Sequence, residues 1–174
     1  MDMTGEERIA ASREAVWAAL NDVAVLKQCI PGCESLEKTS DTDMAARVKL
    51  QVGPVRAAFT GKVTLSDIDP PNGYRISGEG QGGVAGYAKG GAVVRLADDG
   101  AGTLLKYEAK ADVGGKLAQL GGRLIDSTAR KLASEFFQKF GEVVGGGSGG
   151  APRSSSVVSK EGWFRRLWRR LFGR

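Results

Sequence analysis

The stretch VGPVRAAFTGKVTLSDIDPPNGYRISGEG, residues 52–80, contains strand patterns separated by tight turns. Apolar or small side chains occupy every second position from 55 to 65, which is the period of a β-strand with one buried side. Gly-Pro at 53–54 and Pro-Pro-Asn-Gly at 70–73 are turn sequences. The stretch therefore predicts neighbouring antiparallel strands with one buried and one wet face.

The same alternation extends in both directions, from about residue 35 to residue 113. Val48, Leu50 and Val52 alternate with polar residues upstream. Downstream, a strand is expected over 88–96, followed by a turn and a strand that ends near Val113. The pattern therefore predicts six or so short antiparallel strands joined by tight turns.

Helical patterns flank this region on both sides. Residues 3–9 fit a first strand, residues 11–21 a helix with Ser12 as N-cap, and residues 22–28 a second helix that Pro31 and Gly32 end. Residues 116–143 predict one amphipathic helix of about seven turns, because leucines, a threonine and phenylalanines recur at steps of three and four. This order predicts an α+β helix-grip domain, in which a curved antiparallel sheet closes around a long C-terminal helix and leaves an apolar cavity.

The candidate cavity residues are the inward-facing apolar side chains of the sheet and of the long helix. Small residues on the strands would thin the wall and make room for a ligand. Each large side chain could equally fill a solid core, because alternating strands and amphipathic helices always produce an apolar interior. The candidates are Phe59, Val63, Tyr74, Ile76, Tyr87, Leu105, Tyr107, Leu120, Leu124, Leu132, Phe136 and Phe140, with Ala57, Gly61, Gly78, Gly80, Ala92, Ala109 and Ala111 as the small residues.

The composition excludes several kinds of catalytic site. The 174 residues include no histidine, which removes Ser/His/Asp and Cys/His nucleophilic systems and the commonest zinc ligands. The only cysteines, Cys29 and Cys33, are too few for a disulfide scaffold, and we expect free thiols that serve packing. The polar N-terminus does not resemble a signal peptide, so a cytoplasmic location is expected.

The positive charge of the chain is concentrated at its C-terminus. Residues 145–174 carry a net charge of +6, whereas the whole chain carries +5. Residues 1–144 therefore have a net charge of −1. A nucleic-acid-binding domain would carry its basic residues on the folded body, which makes nucleic acid an unsuitable partner. The first part of this segment, residues 145–158, is rich in Gly and Ser and predicts a flexible linker.

The last sixteen residues, 159–174, predict an amphipathic helix. Aromatic and aliphatic residues fall on one side and arginines on the other, a pattern typical of helices that lie in the surface of an anionic membrane. Packing on the sheet and insertion into a groove of a partner protein remain alternatives. The candidate membrane-binding residues are Trp163, Phe164, Arg165, Arg166, Leu167, Trp168, Arg169, Arg170, Leu171 and Phe172.

Four separated segments resemble the CoxG family of carbon monoxide dehydrogenase subunits, which belongs to the START-like, or SRPBCC, superfamily. They are LKQCIPGCESLEK (26–38), VGPVRAAFTGKVTLSDIDPPNGYRISGEG (52–80), GYAKGGAVVRL (86–96) and VGGKLAQLGGRLIDSTARKLASEFF (113–137). The resemblance covers residues 1–144, the predicted ligand-binding domain.

The resemblance implies a non-catalytic accessory protein. Such a protein would attach the aerobic molybdenum-containing CO dehydrogenase, or a related molybdenum hydroxylase, to the inner face of the cytoplasmic membrane. It would also bind or shuttle an isoprenoid respiratory quinone, ubiquinone or menaquinone, in its cavity. Anionic inner-membrane lipid is then the second expected partner.

Two rival functions remain open. One is a membrane-recruitment or assembly factor with a solid core and no ligand. The other is a START-like enzyme such as a cyclase or hydrolase, whose acid and base would come from groups such as Glu79 or Tyr87. The glycine-rich segments lack the P-loop pattern and predict sheet curvature rather than a nucleotide site.

The amphipathic segment yields a direct test. The full-length chain should co-sediment with anionic vesicles, whereas a chain that ends at Val144 should stay in the supernatant, because the apolar stripe and the arginines are removed together. Equal binding by the two chains would contradict the membrane role of residues 159–174.

Overall fold

The computed structural model describes residues 1–145. The predicted linker beyond Gly145 and the predicted helix of 159–174, with all ten candidate membrane-binding residues, lie outside the described residues. Within residues 1–145, no helix is both long enough and apolar enough to span a bilayer.

Seven strands of this part of the chain form one sheet, and every neighbouring pair is antiparallel. The order across the sheet is β1-β7-β6-β5-β4-β3-β2, so β1 is the strand that joins out of sequence. The strands are β1 (Asp2–Ile9), β2 (Cys33–Lys38), β3 (Asp43–Val52), β4 (Val55–Asp69), β5 (Gly73–Gln81), β6 (Tyr87–Asp99) and β7 (Gly102–Gly114).

Four α-helices and one 3-10 turn complete the domain up to residue 145. They are α1 (Arg13–Leu20), α2 (Val23–Cys29), the 3-10 turn Gly83–Ala85, α3 (Lys116–Gln119) and α4 (Gly122–Val144). Helix α4 contacts both β1 and β3, which stand at opposite sides of the sheet, so the sheet must curve around this helix. The predicted α+β helix-grip arrangement is confirmed.

The first two helices form where the sequence predicts them, with starts two residues and one residue later than predicted. The side chain of Ser12 accepts a hydrogen bond from the backbone N–H of Ala15 at 3.2 Å, and the side chain of Asp22 accepts one from Ala24 at 2.9 Å. Each cap satisfies a backbone donor that the first turn of a helix leaves unpaired. Strand β6 ends three residues beyond the predicted residue 96, and the other predicted ends, apart from the start of the 116–143 helix, differ by no more than two residues.

The prediction of one continuous helix over 116–143 is wrong at its start. The chain forms the short α3, leaves the helical path at Gly121, and begins α4 at Gly122. Gly121 has φ +89°, a conformation that right-handed helices do not contain and that glycine adopts at little cost. Two consecutive glycines also lower the helical propensity at this point.

The apolar interior of the described domain contains two separate clusters. The main core joins α1, α2, the second half of α4 and the adjoining parts of the sheet, and the smaller cluster lies near the start of α4. The main core contains Ile9, Val16, Ala19, Leu20, Cys29, Leu36, Met44, Leu65, Tyr74, Val94, Leu96, Leu105 and Phe140. The smaller cluster contains Val52, Phe59, Ala85 and Leu117.

Phe140 connects α4 to the main core. Its side chain has no solvent exposure, and its ring stacks on that of Phe136 with the centroids 5.7 Å apart. Phe136 in turn meets Phe137 edge-on at 5.1 Å. The second half of α4 is therefore fixed to the sheet and to α2.

Phe140→Ala should lower the free energy of unfolding by roughly 3–5 kcal/mol, because a fully buried aromatic side chain is replaced by a cavity. Leu132→Ala, on the half-buried first part of α4, should cost clearly less. Urea denaturation of both variants measures the difference. Equal losses would show that the two halves of α4 are packed equally well.

Candidate apolar ligand cavity

A cavity of about 350 Å³ separates the two apolar clusters. It lies between the concave face of the sheet and the first half of α4. Its lining residues are Met1, Ala46, Val48, Leu50, Val52, Phe59, Gly61, Val63, Gly80, Ala88, Ala111, Val113, Leu117, Ile125, Thr128, Ala129 and Leu132. Cavities that bind small molecules have volumes in this range.

The cavity exists because the inward positions in the middle of the sheet carry small side chains. Gly61 of β4 pairs with Gly80 of β5, and Ala88 of β6 and Ala111 of β7 continue the wall. A Cβ on Gly61 would lie 2.7 Å from the backbone oxygen of Glu79, so no larger residue fits there. Three of the small residues expected to thin the wall, Gly61, Gly80 and Ala111, thus lie on it.

The wall is almost entirely apolar. Among the lining residues of the described domain, only Thr128, on α4, has a side chain that carries a hydrogen-bonding hydroxyl, amide or charge. The amino group of Met1 donates to the carbonyl of Ala111 at 2.9 Å, so its charge is held at the backbone. Such a surface favours hydrocarbon and offers one polar anchor.

Five of the twelve predicted cavity residues lie at or beside the cavity. Phe59, Val63 and Leu132 line it directly. Leu120 and Leu124 are half-buried against the smaller cluster at its end but are not part of the wall. Leu120 ends α3, before the break at Gly121, and so lies off the path of α4. Leu124 lies in the first turn of α4.

Six further predicted residues belong to the main core rather than to the wall. Tyr74, for example, is buried and meets Trp17 edge-on at 5.4 Å, and burial raises the pKa of its hydroxyl to about 12. Sequence alternation shows which face of the sheet a residue lies on, but not what packs across from it. Opposite these residues, aromatic side chains of α4 fill the space between helix and sheet. The six are Tyr74, Ile76, Leu105, Tyr107, Phe136 and Phe140.

The inward placement of Tyr87 is wrong. Ala88 of β6 lines the cavity, and adjacent residues of a strand point to opposite faces, so Tyr87 points outward. Its side chain is 50% exposed and its ring lies over Gly114 of β7. Glu79, the other group considered for an enzymatic role, is exposed as well and absent from the wall.

The inward side of β3 supplies four lining residues that were not among the predicted ones. Ala46, Val48, Leu50 and Val52 alternate along the strand, and the sequence shows this period without indicating that β3 faces α4. On α4 itself, Ile125, Thr128 and Ala129 line the cavity without having been predicted. The three- and four-residue spacing around Leu124 and Leu132 was the sequence signal that could have placed these three residues on the same side of α4.

The carboxylate of Glu7 faces inward from β1. Glu7 is paired with the buried Leu105 and is only half-buried itself. Burial raises the pKa of the Glu7 carboxyl. The pKa of the neighbouring Tyr107 hydroxyl is raised by burial and by the charge of Glu7, against the opposing charge of Arg130 on α4.

The two cysteines are free thiols at the end of α2 and the start of β2. Cys29 is buried in the main core, and burial raises its thiol pKa. Burial also raises the thiol pKa of Cys33, whose sulfur donates to the carbonyl of Ser35 at 3.4 Å. A raised pKa leaves a thiol protonated and unreactive, as expected of a packing role.

Comparison with known proteins matches residues 5–145 to one family, described as the CoxG subunit of carbon monoxide dehydrogenase. A search of curated protein sequences finds no significant match.

Solved structures share the architecture. A conserved protein from Geobacillus kaustophilus is 30% identical, with a TM-score of 0.79 over 83% of this chain and 95% of that chain. An aromatase/cyclase from Streptomyces sp. R1128 is 13% identical, with a TM-score of 0.57 over 83% and 93%. A protein from Thermus thermophilus is 16% identical, with a TM-score of 0.56 over 80% and 97%. The last two establish the helix-grip fold alone.

Gly80→Val should close part of the cavity without disturbing the fold. A Cβ on Gly80 would meet its nearest neighbours only at 4.0 Å, and the added methyl groups would enter the cavity. We expect about a tenfold weaker binding of the neutral dye phenylnaphthylamine, which corresponds to about 1.4 kcal/mol. Fluorescence titration measures the affinity, and thermal unfolding should show equal or greater stability.

Gly141→Ala provides the matched control on the far part of α4, where a Cβ has nothing within 4 Å. This change should stabilise the helix by roughly 1 kcal/mol and leave dye binding unchanged. Unaltered dye binding in Gly80→Val would show that the dye binds elsewhere.

Proposed function

The chain belongs to the CoxG family of carbon monoxide dehydrogenase subunits, and on this premise we propose that it carries a respiratory quinone between the membrane and a dehydrogenase. Family membership indicates an accessory role associated with CO dehydrogenase. The finer proposal is that the aerobic molybdenum CO dehydrogenase, or a related molybdenum hydroxylase, is recruited to the membrane and delivers its electrons to quinone held by this protein.

The observation that carries the proposal is the cavity of about 350 Å³ with one polar side chain on its wall. An isoprenoid quinone in a bilayer is already surrounded by hydrocarbon. Moving its ring and first isoprene units into an apolar protein cavity exchanges one apolar environment for another, so this part of the transfer has little net cost. Moving it through water without such a carrier would expose the whole isoprenoid chain.

Thr128 is the natural anchor for the quinone headgroup. A quinone carbonyl accepts hydrogen bonds, and a threonine hydroxyl can donate one. The lining residues around it on α4 are Ile125, Ala129 and Leu132, which suit the ring and the first isoprene units. The headgroup would then lie under α4 and the isoprenoid chain along the small residues of the sheet.

Residues 159–174 supply the membrane contact in this proposal. Their arginines attract anionic lipid and their tryptophans suit the headgroup region of the bilayer. The protein would therefore work as a peripheral protein on the inner face of the cytoplasmic membrane. A linker over 145–158 would let the domain move between bilayer and dehydrogenase while it stays attached.

The proposed role is non-catalytic. General acid–base catalysis needs a titratable side chain within hydrogen-bond reach of the substrate, and the cavity wall within residues 1–145 offers none. The electron chemistry would belong to the dehydrogenase. A recruitment factor without ligand remains the principal rival, and it requires an empty or lipid-filled cavity.

The protein should be purified from cells that make a respiratory quinone, extracted with solvent and analysed by mass spectrometry. We expect the extract to contain ubiquinone or menaquinone in near-stoichiometric amount. Gly80→Val should yield much less, because its cavity is smaller, while Gly141→Ala should match the unaltered protein. Phospholipid alone, or no lipid, would contradict the carrier role and favour the recruitment factor.

A second comparison separates headgroup recognition from general affinity for hydrocarbon. Thr128→Val keeps the shape of the side chain and removes the hydroxyl, so quinone binding should weaken by about fivefold, or about 1 kcal/mol. Binding of phenylnaphthylamine should stay unchanged. Equal loss for both ligands would show that the substitution merely disturbs the cavity.

A further inference from the structure

The two ends of the sheet carry opposite charge. The β2–β3, β4–β5 and β6–β7 connections lie at one end, because consecutive antiparallel strands reverse direction. We call these connections, residues 39–43, 66–73 and 97–102, the acidic end. They contain six aspartates and no lysine or arginine. Arg8, Arg13 and Arg75 form ion pairs with three of the six, which leaves this end negative.

The opposite end is basic. It consists of the β3–β4 hairpin, the β5–β6 connection and the segment from the end of β7 to the start of α4. We call these three segments, residues 50–58, 82–88 and 114–124, the cap end. They contain Arg56, Lys116 and Arg123 and no aspartate or glutamate. All three basic side chains are exposed, and in the described part of the chain none of them forms a salt bridge.

The cap end also exposes apolar side chains. Val84, at the tip of the 3-10 turn, is 84% exposed, and Tyr87 is 50% exposed. The turn is held by backbone hydrogen bonds from Gly82 to the carbonyl of Gly86 at 2.8 Å and from Gly86 to that of Gly83 at 3.1 Å. The protruding tip is therefore a fixed feature.

The cap end adjoins one end of the cavity. Ala85, next to Val84, is buried in the smaller cluster with Val52, Phe59 and Leu117, and the last three of these also line the cavity. A surface that contacts Val84 thus lies one layer of side chains away from the cavity.

We propose that the cap end docks on an anionic lipid bilayer, with Val84 and Tyr87 entering the headgroup boundary and Arg56, Lys116 and Arg123 facing lipid phosphates. An apolar tip between basic segments suits this partner, since the basic side chains are attracted to anionic lipid and the tip can enter the headgroup boundary. The aspartates at the acidic end are repelled, which orients the domain with the cap end toward the lipid. The inference deepens the proposed function and rests on its membrane contact.

The chain length allows both membrane contacts at once. Helix α4 leads away from the cap end for 23 residues, which is about 34 Å. Residues 146–158 can span at most about 45 Å when fully extended. Residues 159–174 can therefore reach the same bilayer that the cap end contacts.

Environment-sensitive labelling of the full-length chain tests the contact. The nitrobenzoxadiazole fluorophore is attached at Val84→Cys, or at Ile68→Cys as matched control, in a Cys33→Ser background; Cys29 is 2% exposed and stays unlabelled. Ile68 is also an exposed apolar residue, 42% exposed, but belongs to the acidic end. With phosphatidylglycerol-containing vesicles, the label at 84 should brighten several-fold and shift to the blue, and the label at 68 should not change.

A second measurement uses unlabelled protein. Val84→Asp should weaken co-sedimentation of the full-length chain with the same vesicles, and Ile68→Asp should not. An unchanged label at 84 on protein that co-sediments would overturn the docking of the cap end and leave the membrane role of residues 159–174 intact. Absence of co-sedimentation would overturn both. A response of the label at 84 to the dehydrogenase but not to vesicles would overturn the lipid contact and identify a protein-binding surface instead.

Discussion

The burial of Phe140 between the second half of α4 and the sheet is the contact on which the rest of the domain depends. It fixes one half of the helix to the main core, where Phe136 and Phe137 complete the packing. The other half of α4 extends over small inward residues such as Gly61 and Gly80, which have no side chain to fill the space beneath it. One rigid helix cannot follow both surfaces closely, so the cavity forms where the sheet is thinnest.

This division of the interior separates stability from binding. Apolar burial that holds the fold is concentrated in the main core, while most side chains of the cavity wall are only half-buried. The smaller cluster closes the end of the cavity with only a few buried side chains, among them Ala85 and Leu117. The connections that close the cavity therefore belong to the less densely packed part of the domain, the same part that exposes Val84 and a set of unopposed basic residues. In the proposed carrier, this end of the cavity, which has few buried side chains, is the suitable place for ligand passage.

Much of the fold could be predicted because its signals are local. The alternation in β4 and β5, the cap at Ser12, and the spacing along α4 each depend on neighbours a few residues away. The break at Gly121 escapes this kind of prediction although two glycines mark it, because the apolar spacing continues across it. The site was harder to predict. The aromatic character of Tyr87 favours the interior, yet the face of a strand residue is fixed by its parity with neighbours such as Ala88.

The sequence by itself determined the class of the domain, the order of its elements, three of the small residues that thin the wall and the concentration of positive charge beyond residue 144. Only the tertiary structure decided which apolar side chains fill the core and which border empty space. Phe136 and Leu132 are one helical turn apart with the same pattern, but the first packs against the main core and the second lines the cavity. The difference lies in what stands across from them, and that depends on strands distant in the chain that the sheet brings under α4.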